Sequence, residues 1–166
     1  MSAPFTLSRL LKAPRQLVWE VYTQPHHLPN WFGPKGCAMP QSTLDLRVGG
    51  TFHYCLQMPD GMQMWGNWHF KEITEPEKLV LVQHFSDALG AVTHHPMAPG
   101  WPSYTLSTTT LTAQGNNTLL TLEWTPYEAS AEEIALFDAS HASMNQGWSG
   151  NLDVLEAYLS LLQTTA

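Results

Sequence analysis

Among the side chains that could do chemistry in this chain, His141 stands out, because it alone of the eight histidines interrupts an apolar helical stripe. It lies one turn from Phe137 on one side and Met144 on the other, so it projects with them. A partly buried imidazole titrates near neutrality and suits a hydrogen bond to a ligand oxygen, or general acid–base work. Ser140, Ser143 and Tyr54 could approach it, but a hydroxyl without an orienting acid and an oxyanion hole is not a nucleophile. Neither a nucleophile beside a base nor a pair of convergent carboxylates is visible, so no catalytic residue is assigned. His53 and His69 could face each other across a hairpin, on the solvent side of it. His26-His27 and His94-His95 are adjacent pairs in loops, where neighbouring side chains diverge. None of these has the spacing of a zinc motif, and no metal or cofactor is expected. Asp45 and Arg47, two apart on an extended segment, read as a surface ion pair of little energetic worth.

The element that positions His141 is the last helix. Ile134, Phe137, His141, Met144, Trp148, Leu152, Leu155 and Leu159 recur at intervals of three or four, which places them on one stripe. Glu132, Glu133, Asp138, Ser143, Asn151, Asp153 and Glu156 fall elsewhere. The spacing predicts one continuous helix of roughly 30 residues, on the order of 45 Å long, with a single greasy face. Ser130 is its N-cap, with Glu132 and Glu133 in the first turn where the helix dipole favours them. A face that broad needs a broad cover.

The rest of the chain supplies it as strands. Residues 5–12 read as a first strand, and Ala13-Pro14-Arg15 opens a short helix with Leu17, Val18, Val21 and Tyr22 on one side. Gln24-Pro25 stops that helix, and a second short segment around 26–31 runs into the turn Gly33-Pro34-Lys35-Gly36. Period-two alternation follows over 43–48, with Leu44, Leu46 and Val48 apolar, and Gly49-Gly50 reverses the chain. Strands 51–58 and 64–70 form a hairpin around Pro59-Asp60-Gly61, and their apolar members are even-numbered: Phe52, Tyr54, Leu56, Met58, then Met64, Trp68 and Phe70. Matching those faces requires an even register sum, 120 or 122 in residue numbers, and the second would set His53 opposite His69. Another strand covers 78–85, and strands 104–113 and 118–127 make a second hairpin with Leu120, Leu122 and Trp124 on one side. Between them the Pro- and Gly-rich stretch 86–102, carrying Trp101, is a candidate gate.

The bulk properties narrow the function classes. At 166 residues the chain suits a single domain, 1–166. A net charge of −7 repels nucleic acid and anionic membrane surfaces. No apolar stretch is long enough to span a bilayer, and residues 1–4 lack the basic and apolar regions of a secretory signal, so the cytoplasm is the expected compartment. Cys37 and Cys55 are isolated and read as small buried hydrophobes in a reducing compartment.

The segments Ala13-Pro14-Arg15 with Val18-Trp19, His27-Leu28 to Trp31-Phe32-Gly33-Pro34-Lys35-Gly36, Leu44-Asp45-Leu46-Arg47-Val48-Gly49-Gly50, Pro59-Asp60-Gly61 and Gln146-Gly147-Trp148 resemble, in that order, the START-like (SRPBCC) superfamily. Within it the chain is similar to the bacterial branch named after the activator of the heat-shock-protein-90 ATPase, over about residues 5–161. The resemblance implies an α+β helix-grip fold of the START/Bet v 1 type. Two short helices and a curved antiparallel sheet wrap a long C-terminal helix, leaving a cavity between. Membership fixes architecture far better than activity.

If the even faces of the hairpin point at the long helix, Phe52, Tyr54, Met64, Trp68 and Phe70 meet Trp124, Met144, Trp148 and Leu152 across that space. With Trp101 at the gate and His141 as the polar member, these are the expected ligand-binding residues. Flat rings and flexible methionines fill a curved space imperfectly, which favours a partly open pocket for a small hydrophobic or aromatic molecule. A cyclase or hydratase using the same cavity, and a chaperone-associated interaction domain in the stress response, are the alternatives that the superfamily implies. A homodimer through a sheet edge or the helix back is compatible with the sequence, and no residue argues for one.

Overall fold

A computed structural model describes residues 4–95 and 98–164. Seven strands form one antiparallel sheet: β1 (Phe5–Leu11), β2 (Ala38–Leu44), β3 (Thr51–Gln57), β4 (Gln63–Thr74), β5 (Lys78–Ser86), β6 (Tyr104–Gln114) and β7 (Asn117–Tyr127). Their order across the sheet is β1-β7-β6-β5-β4-β3-β2, so only the β1–β7 pairing joins strands distant in sequence. Helix α1 (Arg15–Thr23) and a single 3-10 turn (Leu28–Asn30) close one end. Helices α2 (Ala131–Ala139) and α3 (His141–Thr164) lie in the grip of the sheet. This is the helix-grip fold.

The hairpin β3–β4 takes the register sum 120: Phe52 pairs with Trp68 and Tyr54 with Gly66. His53 therefore faces Asn67, and of the two registers the sequence allows, the one that would set His53 opposite His69 is not taken. His69 instead meets His84 of β5, Nε2 to Nε2 at 2.9 Å. Because the His84 Nδ1–H donates to the Phe85 carbonyl at 2.8 Å, its Nε2 is left to accept from His69. Beyond Phe70 a bulge at Lys71 shifts the phase of β4, and Ile73 replaces an even-numbered residue on the concave face.

Three other expectations are corrected. The strand read at 43–48 ends at Leu44, and β2 begins earlier, at Ala38. Residues 45–50 make a tight loop in which the Gly50 N–H donates to the Arg47 carbonyl at 2.8 Å. A Cβ at Gly50 would collide with the Asp45 carbonyl, so no side chain fits there. Val48, read as inward, is 62% exposed. The last helix is not continuous but breaks at Ser140, whose N–H bonds to Phe137 and whose hydroxyl donates to the Leu136 carbonyl at 2.7 Å. Such a back-bonded serine bends a helix.

The core is divided in two. The larger part packs α1, the 3-10 turn and the C-terminal half of α3 on the sheet, around Trp31, Phe52, Phe70, Leu152, Leu155 and Leu159. The smaller part gathers Phe5, Phe137 and Met144, with Trp101, Trp124 and Trp148 packed against it. Asn151, off the apolar stripe in sequence, is buried nonetheless: its Oδ1 accepts from the Gly33 N–H at 3.1 Å and its Nδ2 donates to the Trp31 carbonyl at 2.8 Å. It ties α3 to the Trp31–Gly36 turn.

Candidate functional site

Between the two parts of the core lies a cavity of about 420 Å³. At roughly 30 Å³ per molecule that is room for about 14 waters, and it falls within the size range of small-molecule sites. Side chains from four strands, two loops and the two C-terminal helices reach it. Tyr54 comes from β3, Gln83 and Phe85 from β5, Thr105 from β6 and Trp124 from β7. Phe32 reaches in from the turn before β2, and His95 and Trp101 from the β5–β6 connection. Leu136, Ser140, Ser143, Met144 and Trp148 close it from the helices.

Two of the aromatic contacts around the cavity are perpendicular and one is tilted. Trp124 and Trp148 are edge to face at 5.4 Å, Phe32 and Tyr54 likewise at 5.2 Å, and Trp101 rests on Phe137 at 5.5 Å. Edge-to-face contacts hold these rings in place around the cavity. Tyr54 lies flat over Gly66, its partner across β3–β4; a Cβ there would run into the Tyr54 hydroxyl. Glycine at that position lets the phenol lie against the strand.

The electrostatics are those of a neutral site. Among the described residues no Asp, Glu, Lys or Arg lines the cavity. Burial pushes the Tyr54 phenol far above its ordinary range, with a smaller opposing contribution from the Trp68 indole, so it stays protonated. Burial lowers the His95 imidazole from its ordinary value of 6.5, which keeps it neutral at pH 7. His95 packs against Phe85 at 4.8 Å and faces Trp101 at 6.2 Å.

Of the eleven residues expected at the site from the sequence, Tyr54, Trp101, Trp124, Met144 and Trp148 line the cavity. Phe52, Trp68, Phe70 and Leu152 do not; they are 0–4% exposed in the larger core, below the cavity floor. Met64 sits half-buried opposite Leu56, further along the hairpin. His141 also lies outside the lining. Its ring packs edge-on between Phe5 at 5.8 Å and Phe137 at 5.4 Å, and its buried Nε2 has no hydrogen-bond partner. Of the hydroxyls that could approach His141, that of Ser140 is committed to the Leu136 carbonyl.

Phe32, Gln83, Phe85 and Thr105 are cavity residues that the sequence reading passed over. The run Leu79-Val80-Leu81-Val82 conceals the phase of β5. Reading outward from the buried Leu79 and Leu81 would have placed Gln83 and Phe85 on the same face.

A second hollow, between β1 and α3, has Lys12, Asp153, Glu156, Gln163 and Thr164 on its walls, all of them exposed. It is a charged surface cleft. No helix of the described residues is long and apolar enough to cross a membrane.

The fold recurs in solved structures. A protein of Mycobacterium smegmatis is 24% identical, with TM-score 0.75 over 94% of this chain and 90% of its own. One of Nitrosomonas europaea is 23% identical, with TM-score 0.75 over 97% and 96%. One of Arthrobacter aurescens, solved by NMR, is 26% identical, with TM-score 0.78 over 96% and 87%. No curated protein matches the sequence. Residues 12–160 match the profile of the "Activator of Hsp90 ATPase homolog 1-like protein" family. With that profile spanning nearly the whole chain and the helix-grip fold beneath it, the protein belongs to this family, a START-like lineage of hydrophobic ligand-binding domains in general.

Proposed function

We propose that the chain, as one domain over residues 1–166, binds a small neutral hydrophobic or aromatic molecule in the cavity, for carriage, sensing or sequestration in the cytoplasm. The observation that carries this reading is the lining itself: about 420 Å³ walled by Phe32, Tyr54, Phe85, Trp101, Trp124 and Trp148, with no charged side chain among the described residues. Affinity comes mainly from apolar burial, at roughly 25 cal/mol per Å². Rings offered edge-on and face-on to one space suit a flat guest. An ionic guest would be desolvated there without a counter-charge.

The test is native mass spectrometry of the purified protein beside its denatured mass, followed by tryptophan-fluorescence titration with neutral aromatic compounds. A retained small molecule, or saturable quenching that is lost in Trp148→Ala, is the expected result. A bare mass together with no saturable quenching by any compound would sink the proposal.

A further inference from the structure

The concave face of the sheet is apolar on β5 where it meets the larger core and polar along β6. On β5, Leu79 and Leu81 are followed in the same phase by Gln83; on β6, Leu111 is preceded in phase by Thr109, Ser107 and Thr105. Gln83 and Thr105 are direct partners across the β5–β6 ladder, so their side chains emerge side by side. Both line the cavity.

Thr105 is only 3% exposed and Gln83 is half-buried, yet among the described residues neither side chain has a hydrogen-bond partner. A carboxamide offers two donors and an acceptor, and a hydroxyl offers one donor and further acceptor capacity. Neither side chain is among the fully enclosed polar atoms that lack a partner, so both still reach the cavity interior, whereas the Trp124 Nε1–H on the same wall is fully enclosed and unpartnered, which is unfavourable without an acceptor. Gln83, Thr105 and the Trp124 indole N–H are polar groups that the cavity wall offers to a guest. A guest in the cavity is the molecule placed to complete them.

We infer, on the reading proposed above, that the guest is a neutral aromatic compound carrying one group that both donates and accepts a hydrogen bond, such as a phenolic hydroxyl or a lactam. Gln83 and Thr105 are its polar anchor. The ring then lies toward Trp124 and Trp148. A pure hydrocarbon would leave the anchor unpartnered, and a carboxylate would meet no lysine or arginine among the described residues.

Equilibrium dialysis with 2-naphthol, naphthalene and 2-naphthoate tests this, using the wild-type chain, Gln83→Leu and Thr105→Val, with near-UV circular dichroism to verify each fold. Wild type should prefer 2-naphthol to naphthalene by on the order of tenfold, and to 2-naphthoate by at least as much. Gln83→Leu should abolish the preference by weakening 2-naphthol while leaving naphthalene unchanged or tighter, and Thr105→Val should reduce it. Should Gln83→Leu not fold, Gln83→Met serves in its place. Equal wild-type affinities for 2-naphthol and naphthalene, or a preference that survives both substitutions, would overturn the anchor while leaving the cavity reading standing. Failure of all three probes to bind would overturn the anchor, and together with a bare native mass and no saturable quenching by any compound the cavity reading as well.

Discussion

Trp148 bridges the two roles that an aromatic residue can play in this protein. It packs on Trp124 at 5.4 Å and on Phe32 at 6.4 Å while presenting the rest of its surface to the cavity. Trp148→Ala should lower stability by about 2 kcal/mol, less than a fully buried tryptophan would cost, and should abolish saturable quenching. His141 presents the opposite case. Held between two phenylalanines with an unpartnered Nε2, it carries a desolvation cost without compensation. His141→Phe should leave the midpoint of chemical denaturation unchanged or raise it, by up to about 1 kcal/mol, and should not alter ligand affinity. A large loss on either count would mean that the imidazole makes a bond through a water or a guest. Which aromatic residues were legible in the sequence follows from what alternation can tell. The even-numbered set on β3 and β4 does share the concave face, so Tyr54 was placed correctly. Phe52, Trp68 and Phe70 share that face too, but sit where sheet and helix close on each other. Alternation gives the side of a sheet, and depth along the strand is set by the tertiary approach of α3.

At the level of elements, polar contacts decide the shape as much as the apolar stripe does. Asn151 is the strongest of them, since both halves of its carboxamide are used on backbone groups of the Trp31–Gly33 segment. Asn151→Ala would leave a buried N–H and a buried carbonyl unsatisfied and should cost about 2–4 kcal/mol by denaturant titration, whereas a surface change such as Asp153→Ala should cost far less. Ser130 closes a capping box with Glu133, each side chain bonding the other's backbone N–H, at 3.1 Å and 2.9 Å. Ser130→Ala should lower the melting temperature by the equivalent of about 1 kcal/mol. That cap was visible in the sequence. The break at Ser140 was not, because the apolar stripe runs straight through it: Phe137 and Met144 stay buried on both sides, and periodicity does not register a backbone that bends within its own phase.

Across the whole molecule, the histidines set the response to acid. Three of them have pKa values below the ordinary 6.5: His27 and His69 chiefly through burial, with neighbouring His26 for the first and His84 and Lys71 for the second, and His95 through burial alone. The unfolded chain therefore takes up protons from pH 6.5 downward while the native state holds out. Linkage then fixes the sign: stability is at its full value above pH 6.5 and is lost as the pH falls through that value toward the lowered ones. Melting temperatures measured from pH 7.5 down to 5.5 should decline below 6.5, and the slope should shrink in His69→Gln. A flat profile across that interval would contradict the assignment.

The division of the core separates what holds the fold from what faces the cavity. The fully buried residues that hold sheet to helix, Phe52, Phe70, Leu152 and Leu155 among them, lie in the larger cluster, outside the cavity lining. Most of the lining is half-buried and drawn from loops, strand ends and a helix junction. Exchange of a half-buried lining residue thus costs less stability than exchange of a core residue, so the cavity can change its preference while the frame is kept. Scaffold and chemical preference become separable traits, so the chemistry of a guest is to be sought in the 17 lining positions and not in the frame beneath them.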